Sequence, residues 1–143
     1  MTPTVPELLL GNFLALIEPP PPEAMGEFLQ GRVAVTGMIS MLCAQEAERG
    51  TETRLWENGD IRSLLRRGAA RHGAAFAERA EVEDRDMTLA GMDRVNATLR
   101  KALIDLHIAA EEAGDRELDH AILRHYVESA DRRRLDLPPM PGN

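Results

Sequence analysis

Met92, Val95, Leu99, Ala102, Leu106, Ala109 and Ala113 follow one another at alternating steps of three and four residues. That spacing lines apolar side chains along one helical edge, so the segment is expected to fold as a helix pressed along a neighbour. Thr88 or Asp86 offers an N-cap oxygen for it. Gly114 offers an end, because glycine enters the left-handed conformation of a helix C-terminus without steric cost. Asp115 then caps a following helix that turns Leu118, Ala121, Ile122, Val127 and Ala130 partly inward. No polar and apolar alternation of useful length occurs, so strands are not expected and the fold class is all-α.

The earlier half reads the same way with more interruptions. A first helix begins near Pro6, carries Leu9, Leu10, Phe13, Leu14 and Ile17, and stops at the prolines Pro19 to Pro22. A second runs from Pro22 to about Arg49, ahead of Gly50. Its stretch from Val33 to Ala44 is almost wholly apolar or small, so other elements should cover it on both sides. Gly37 within it costs about 1 kcal/mol relative to Ala, which points to a close neighbour. Residues 51–59 read as a break or a short helical turn, and Asn58-Gly59-Asp60 as a turn opening a third helix. That helix points Ile61, Leu64, Leu65 and Gly68 inward, with Arg62, Arg66, Arg67 and Arg71 beside them. Gly73 interrupts it before a weaker helical segment over 74–83. The expected architecture is an irregular bundle of five or six helices forming a single domain over residues 1–143, with a flexible tail from about 135 to 143.

Length supports that economy, since 143 residues suffice for one core and would leave two cores marginal. Aromatic residues are only 3%, so the core must be built from Leu, Ala, Met, Ile and Val, a set that favours helices. The formal charge of −7 opposes approach to nucleic acid and to anionic membrane surfaces, and neither is an expected partner. Cys43 is the sole cysteine and sits in an apolar run, which fits a reducing compartment. The apolar stretch Val5 to Ile17 lacks the basic lead and small-residue cleavage site of a signal peptide, and Val33 to Ala44 is too short to span a bilayer. A cytoplasmic protein is expected.

No complete catalytic set is visible. Cys43, Ser40 and Thr36 lie on the most apolar helix, where a nucleophile would be buried away from substrate. The glycines near residues 59 and 68–73 lack the lysine of a phosphate-binding loop, and the chain's only lysine is Lys101, in mid-helix. One cysteine and four histidines do not make a zinc finger or ribbon. Glu117 and His120 do form a Glu-x-x-His pair on one helical face, a spacing used twice in di-iron bundles and present once here, and they are the candidate metal ligands. The competing reading is a solvated helix start where Glu117 complements the dipole. His107 and Glu111, one turn apart, are either half of a polar site or a boundary histidine paired with a carboxylate. Arg32 and Glu46 flank the apolar stretch too far apart to pair with each other, so each needs a partner from a neighbouring helix or from a ligand. The arginines of the third helix suit either an acidic ligand or a solvated face. Trp56 either folds back onto the core or anchors a partner.

The Arg32-Val33-Ala34 start of the apolar helix, the Glu48-Arg49-Gly50 ending, Ser63-Leu64-Leu65 and Leu123-Arg124 ahead of a proline-terminated tail together resemble a family of small uncharacterised bacterial helical proteins. Genes of that family often neighbour those of acyl-CoA dehydrogenases and aminoglycoside-phosphotransferase-like kinases. The chain departs from the family's pattern at Thr36, where asparagine is expected, and in a slightly longer central helix. The resemblance implies a bundle, no activity and no catalytic residues. The functional expectation is a non-enzymatic interaction or accessory module without a cofactor that self-associates as a homo-oligomer or takes a protein partner. The alternative is a ligand- or metal-binding bundle with a pocket between the second, fifth and sixth helices, lined by Arg32, His107 and His120.

Overall fold

Five helices carry the fold: α1 Val5–Ile17, α2 Met25–His72, α3 Ala75–Arg79, α4 Leu89–Ala113 and α5 Arg116–Arg133. The computed structural model describes residues 3–17, 23 and 25–137, and among them there is no strand. The all-α bundle is as expected. The prolines from Pro19 to Pro22 and the tail from Pro138 lie outside the described residues.

Where six helices were an option, the second and third fuse into α2. Gly50 and Asn58-Gly59-Asp60, read as breaks, lie inside it. Asn58 and Asp60 are strong turn and cap formers only while their side chains are free to bond the local backbone. Here both are taken by other elements: Asn58 Nδ2 donates to Asp84 Oδ1 at 2.7 Å, and Asp60 Oδ2 meets His125 Nδ1 at 2.7 Å. Tertiary partners thus outweigh local preference. Gly73, at φ 119°, ends α2 as expected, and the segment after it forms only the short α3.

The packing resolves into two compact units, residues 1–49 with 135–143, and residues 50–134. In the first, α1 begins with Thr4, whose backbone N–H and hydroxyl both donate to Glu7, and α2 contributes its residues up to Arg49. Gln45 brackets the peptide of Asp136, donating through Nε2 to the carbonyl and accepting from the N–H, both at 2.8 Å. The start of the tail expected to be flexible is therefore tied down. The cover expected over Val33 to Ala44 is incomplete within the described residues. Val33 and Val35 are 63% and 43% exposed, and a Cβ added at Gly37 would meet nothing within 4 Å.

The second unit holds the core. Ile61, Leu64 and Leu65 from α2 pack on Leu99, Ala102, Leu103, Leu106 and Ala110 from α4 and on Leu118, Ala121 and Ile122 from α5. The α4 stripe keeps the expected seam at Met92, Leu99, Ala102 and Leu106, and is wider than it. Leu103, Asn96 and Ala110 are buried while Ala113 is exposed, because the helix must face α2 and α5 together and a single heptad edge is too narrow for two neighbours. Its ends match the reading: Thr88 accepts from Gly91 N, Gly114 takes φ 67°, and Asp115 accepts from Leu118 N. Gly68 sets how closely α2 crosses α4, since a Cβ there would lie 2.5 Å from Leu106 Cδ1.

Two glycines of α2 therefore respond oppositely to alanine. Gly59→Ala has open space and gains about 0.5–1 kcal/mol of helix stability. Gly68→Ala gains the same but overpacks a wedged Leu106 at a cost of about 1–3 kcal/mol, so the net is destabilising. Urea unfolding followed by far-UV circular dichroism will separate the two signs.

Candidate functional site

The residues that could do chemistry gather in the second unit, in two places. The first is a polar core beside the apolar one. Glu57 is 1% and Asn58 0% exposed, positions where an unpaired carboxylate or amide would be strongly unfavourable. Arg133, at the end of α5, grips Glu57 with a two-pronged contact, Nε to Oε1 at 2.7 Å and Nη2 to Oε2 at 2.5 Å. Ser129 Oγ also donates to Glu57. Asn96 Nδ2 reaches Glu57 Oε2 at 3.2 Å and Asn58 Oδ1 at 2.9 Å. The chain of bonds continues through Asp84 to Arg62, which clasps the Val82 carbonyl, so the connection after α3 is fastened to α2. Alongside, Arg54 pairs with Asp93 at 2.7 Å.

Burial alone would push the Glu57 carboxyl up, but the hydrogen bonds from Arg133 and Ser129 and the positive charge of Arg133 outweigh it and hold the group below its ordinary value. A carboxylate so saturated has no lone pair to spare for a substrate proton. His125 Nδ1 with Asp60, and Ser129 one turn further on, have the makings of a nucleophilic triad. The serine hydroxyl, however, is buried and donated to Glu57. The arrangement holds helices together. Trp56 folds back onto this region: its ring stacks on His125 at 5.5 Å and carries the Arg132 guanidinium at 4.2 Å.

The second place is the corner between α4 and α5. His107 Nε2 lies 2.8 Å from Asp119 Oδ1 and 3.9 Å from Glu111 Oε1. One ligand atom from each of the three residues can be chosen so that all lie within 4.8 Å of one another. Among the described residues these three are the group that could hold a metal ion. The Tyr126 ring packs against the imidazole at 5.7 Å, and burial pushes the Tyr126 hydroxyl up.

The other candidates fall elsewhere. Glu117 is taken by Arg67 at 2.5 Å and Arg71 at 3.3 Å, and exposed His120 lines a groove of about 760 Å³ along α5 with Leu123, Arg124 and Val127. The third-helix arginines all have intramolecular acids: Asp84 for Arg62, Glu81 for Arg66, Glu117 for Arg67 and Asp115 for Arg71. Arg32 belongs to the first unit, and His107 and His120 to the second. Arg32 borders a cavity of about 410 Å³ with Ala15, Phe28, Gly31 and Val35, its guanidinium 5.4 Å from the Phe28 ring centroid. Its Nη2 has no hydrogen-bond partner among the described residues. Glu46 is buried in the same unit. The residues missed from sequence are Glu57, Asn96, Arg133 and Asp119, each of which gains its meaning from a partner on another helix. An acid at Asp119, between the two members of the Glu-x-x-His pair, was the one available signal.

No known protein family, curated protein or solved structure matches the chain.

Two outcomes follow from these pairings. Glu57→Ala takes from Arg133 its bidentate acid, leaving the more distant Asp93 at 3.8 Å, and costs up to about 3 kcal/mol, read as a lower midpoint in chemical denaturation. Asp115 accepts from His72, from Leu118 N and from Arg71, and despite its partial burial its carboxyl drops from 3.8 to about 2. A folded-state value below the unfolded one contributes stability above pH 3.8 that is lost as pH falls towards about 2. Asp115→Asn keeps the cap and should flatten that part of the pH–stability profile, measured by thermal unfolding across the range.

Proposed function

We propose that the protein is a cytoplasmic, non-enzymatic interaction module that self-associates through α2. The observation carrying this is an exposed stripe at helical spacing: Gly26, Leu29, Val33, Gly37, Ser40, Ala44 and Ala47 all face solvent. Leu29 and Val33 are 53% and 63% exposed. A monomer gains nothing from leaving such a strip in water, at about 25 cal/mol for each Å² of apolar surface. The small residues at its C-terminal end let a second helix approach closely.

A second copy suits the strip better than a charged partner. Residues 33–45 carry no charge, so two copies meet there without repulsion. In an antiparallel, self-complementary pairing, Arg32 of one copy comes to the Glu46-to-Glu48 end of the other. The close neighbour that Gly37 called for is then supplied by the second chain. The net charge of −7 weighs against nucleic acid as the partner, and no helix among the described residues is long and apolar enough to cross a membrane.

Sedimentation velocity at micromolar concentration should show a dimer or larger species. Leu29→Glu and Val33→Glu, both on exposed positions, should return it to monomer with unchanged helix content. A wild-type chain that remains monomeric throughout would overturn the reading.

A further inference from the structure

We propose that His107, Glu111 and Asp119 bind one divalent first-row transition-metal ion of the zinc class, clamping α4 to α5. This is independent of self-association, which uses other residues.

The geometry is close to what such an ion requires. A tetrahedral ion with bonds of about 2.0–2.2 Å keeps its ligand atoms about 3.3–3.5 Å apart. The His107 imidazole nitrogen already has one carboxylate oxygen at 2.8 Å and another at 3.9 Å, spacings that bracket this value. Asp119 has to back away slightly, and Glu111 has to close in. Glu111 is free to do so, since its side chain is 63% exposed and can rotate at its own bonds.

The scaffold is stiff where it matters. His107 and Glu111 sit one turn apart on α4, so their side chains share a face. Gly114, left-handed at φ 67°, donates its N–H to Ala110 O and Glu111 O and turns the chain directly into the Asp115 cap of α5. Asp119, one turn beyond that cap, is thereby carried back to His107. The Tyr126 ring, 5.7 Å from the imidazole, packs against it and limits its rotation.

Charge supplies a separate argument. Many carboxylates of this unit meet a guanidinium group, among them Asp84, Asp86, Asp93, Asp105, Asp115 and Glu117, and Asp60 meets His125 alone among the described residues. Glu111 and Asp119 have only His107, and no Arg or Lys pairs with either among the described residues. Two carboxylates sharing one imidazole leave a local surplus of negative charge that a dication would cancel. The nitrogen ligand selects the class, because imidazole suits zinc, copper, nickel and iron, whereas magnesium and calcium prefer oxygen alone. Three protein ligands leave a fourth position for water or a small anion.

Zinc chloride titrated into the full chain, purified without chelator or histidine tag and followed by isothermal calorimetry, tests the site. The expected result is saturable binding of one ion per chain and a higher melting temperature in its presence, both absent in His107→Gln. Asp119→Asn and Glu111→Gln should each weaken binding by at least about tenfold. Glu111 is exposed, so Glu111→Gln leaves the fold intact and its result stands even if a buried variant unfolds. His120→Gln should bind as wild type does. Absence of one-to-one binding, wild-type affinity in Glu111→Gln and Asp119→Asn, or loss of binding in His120→Gln would each overturn the assignment.

Discussion

The bidentate contact between Arg133 and Glu57 holds the second unit's order of helices. An acid buried at mid-helix of α2 cannot remain without its cation, and the only way to bring Arg133 there is to lay α5 along α2 to its last turn. Ser129 and Asn96 then complete the carboxylate's bonding from α5 and α4. Three helices are thus fixed in register by one side chain, whereas the leucine-rich core around them would tolerate sliding. A buried ion pair is weak evidence for extra stability but good evidence for selecting one packing among several, and here the pair and the groups bonded to it span three helices.

That polar saturation contrasts with the first unit. In the second, the buried Glu57, Asn58 and Asn96 all have hydrogen-bond partners, and the arginines that looked like a ligand-binding row are spent on intramolecular acids. In the first, Leu29 and Val33 stand in solvent and the Arg32 Nη2 lacks a hydrogen bond among the described residues. The buried polar groups of the second unit are thus satisfied from within it, while α2 in the first unit leaves apolar side chains in solvent.

What the sequence disclosed follows the range of the forces involved. The ends of α4 and the start of α5 were legible because Thr88, Gly114 and Asp115 act on backbone groups within a few residues. The continuity of α2 was not, because Asn58 and Asp60 form turns when unoccupied and are occupied only by residues far along the chain, Asp84 and His125. Arg133 stands in the last turn of α5, where the helix dipole alone favours a cation, and nothing local could say that an acid 76 residues earlier was its partner. His107 and Glu111 were visible as a pair, but Asp119 joins them only through the α4–α5 corner.

Trp56 is the chain's one tryptophan, and its surroundings make it a reporter. The indole stacks on an imidazole and carries a guanidinium, both from α5, and its neighbour in sequence is Glu57 itself. Any opening that separates the last turns of α5 from α2 removes two cationic or polarisable groups from the ring and admits water in their place. The intrinsic fluorescence of the unmodified protein therefore reads the docking of one helix, not the average state of the chain, and can be compared with helix content to learn whether the polar core opens before the bundle unfolds.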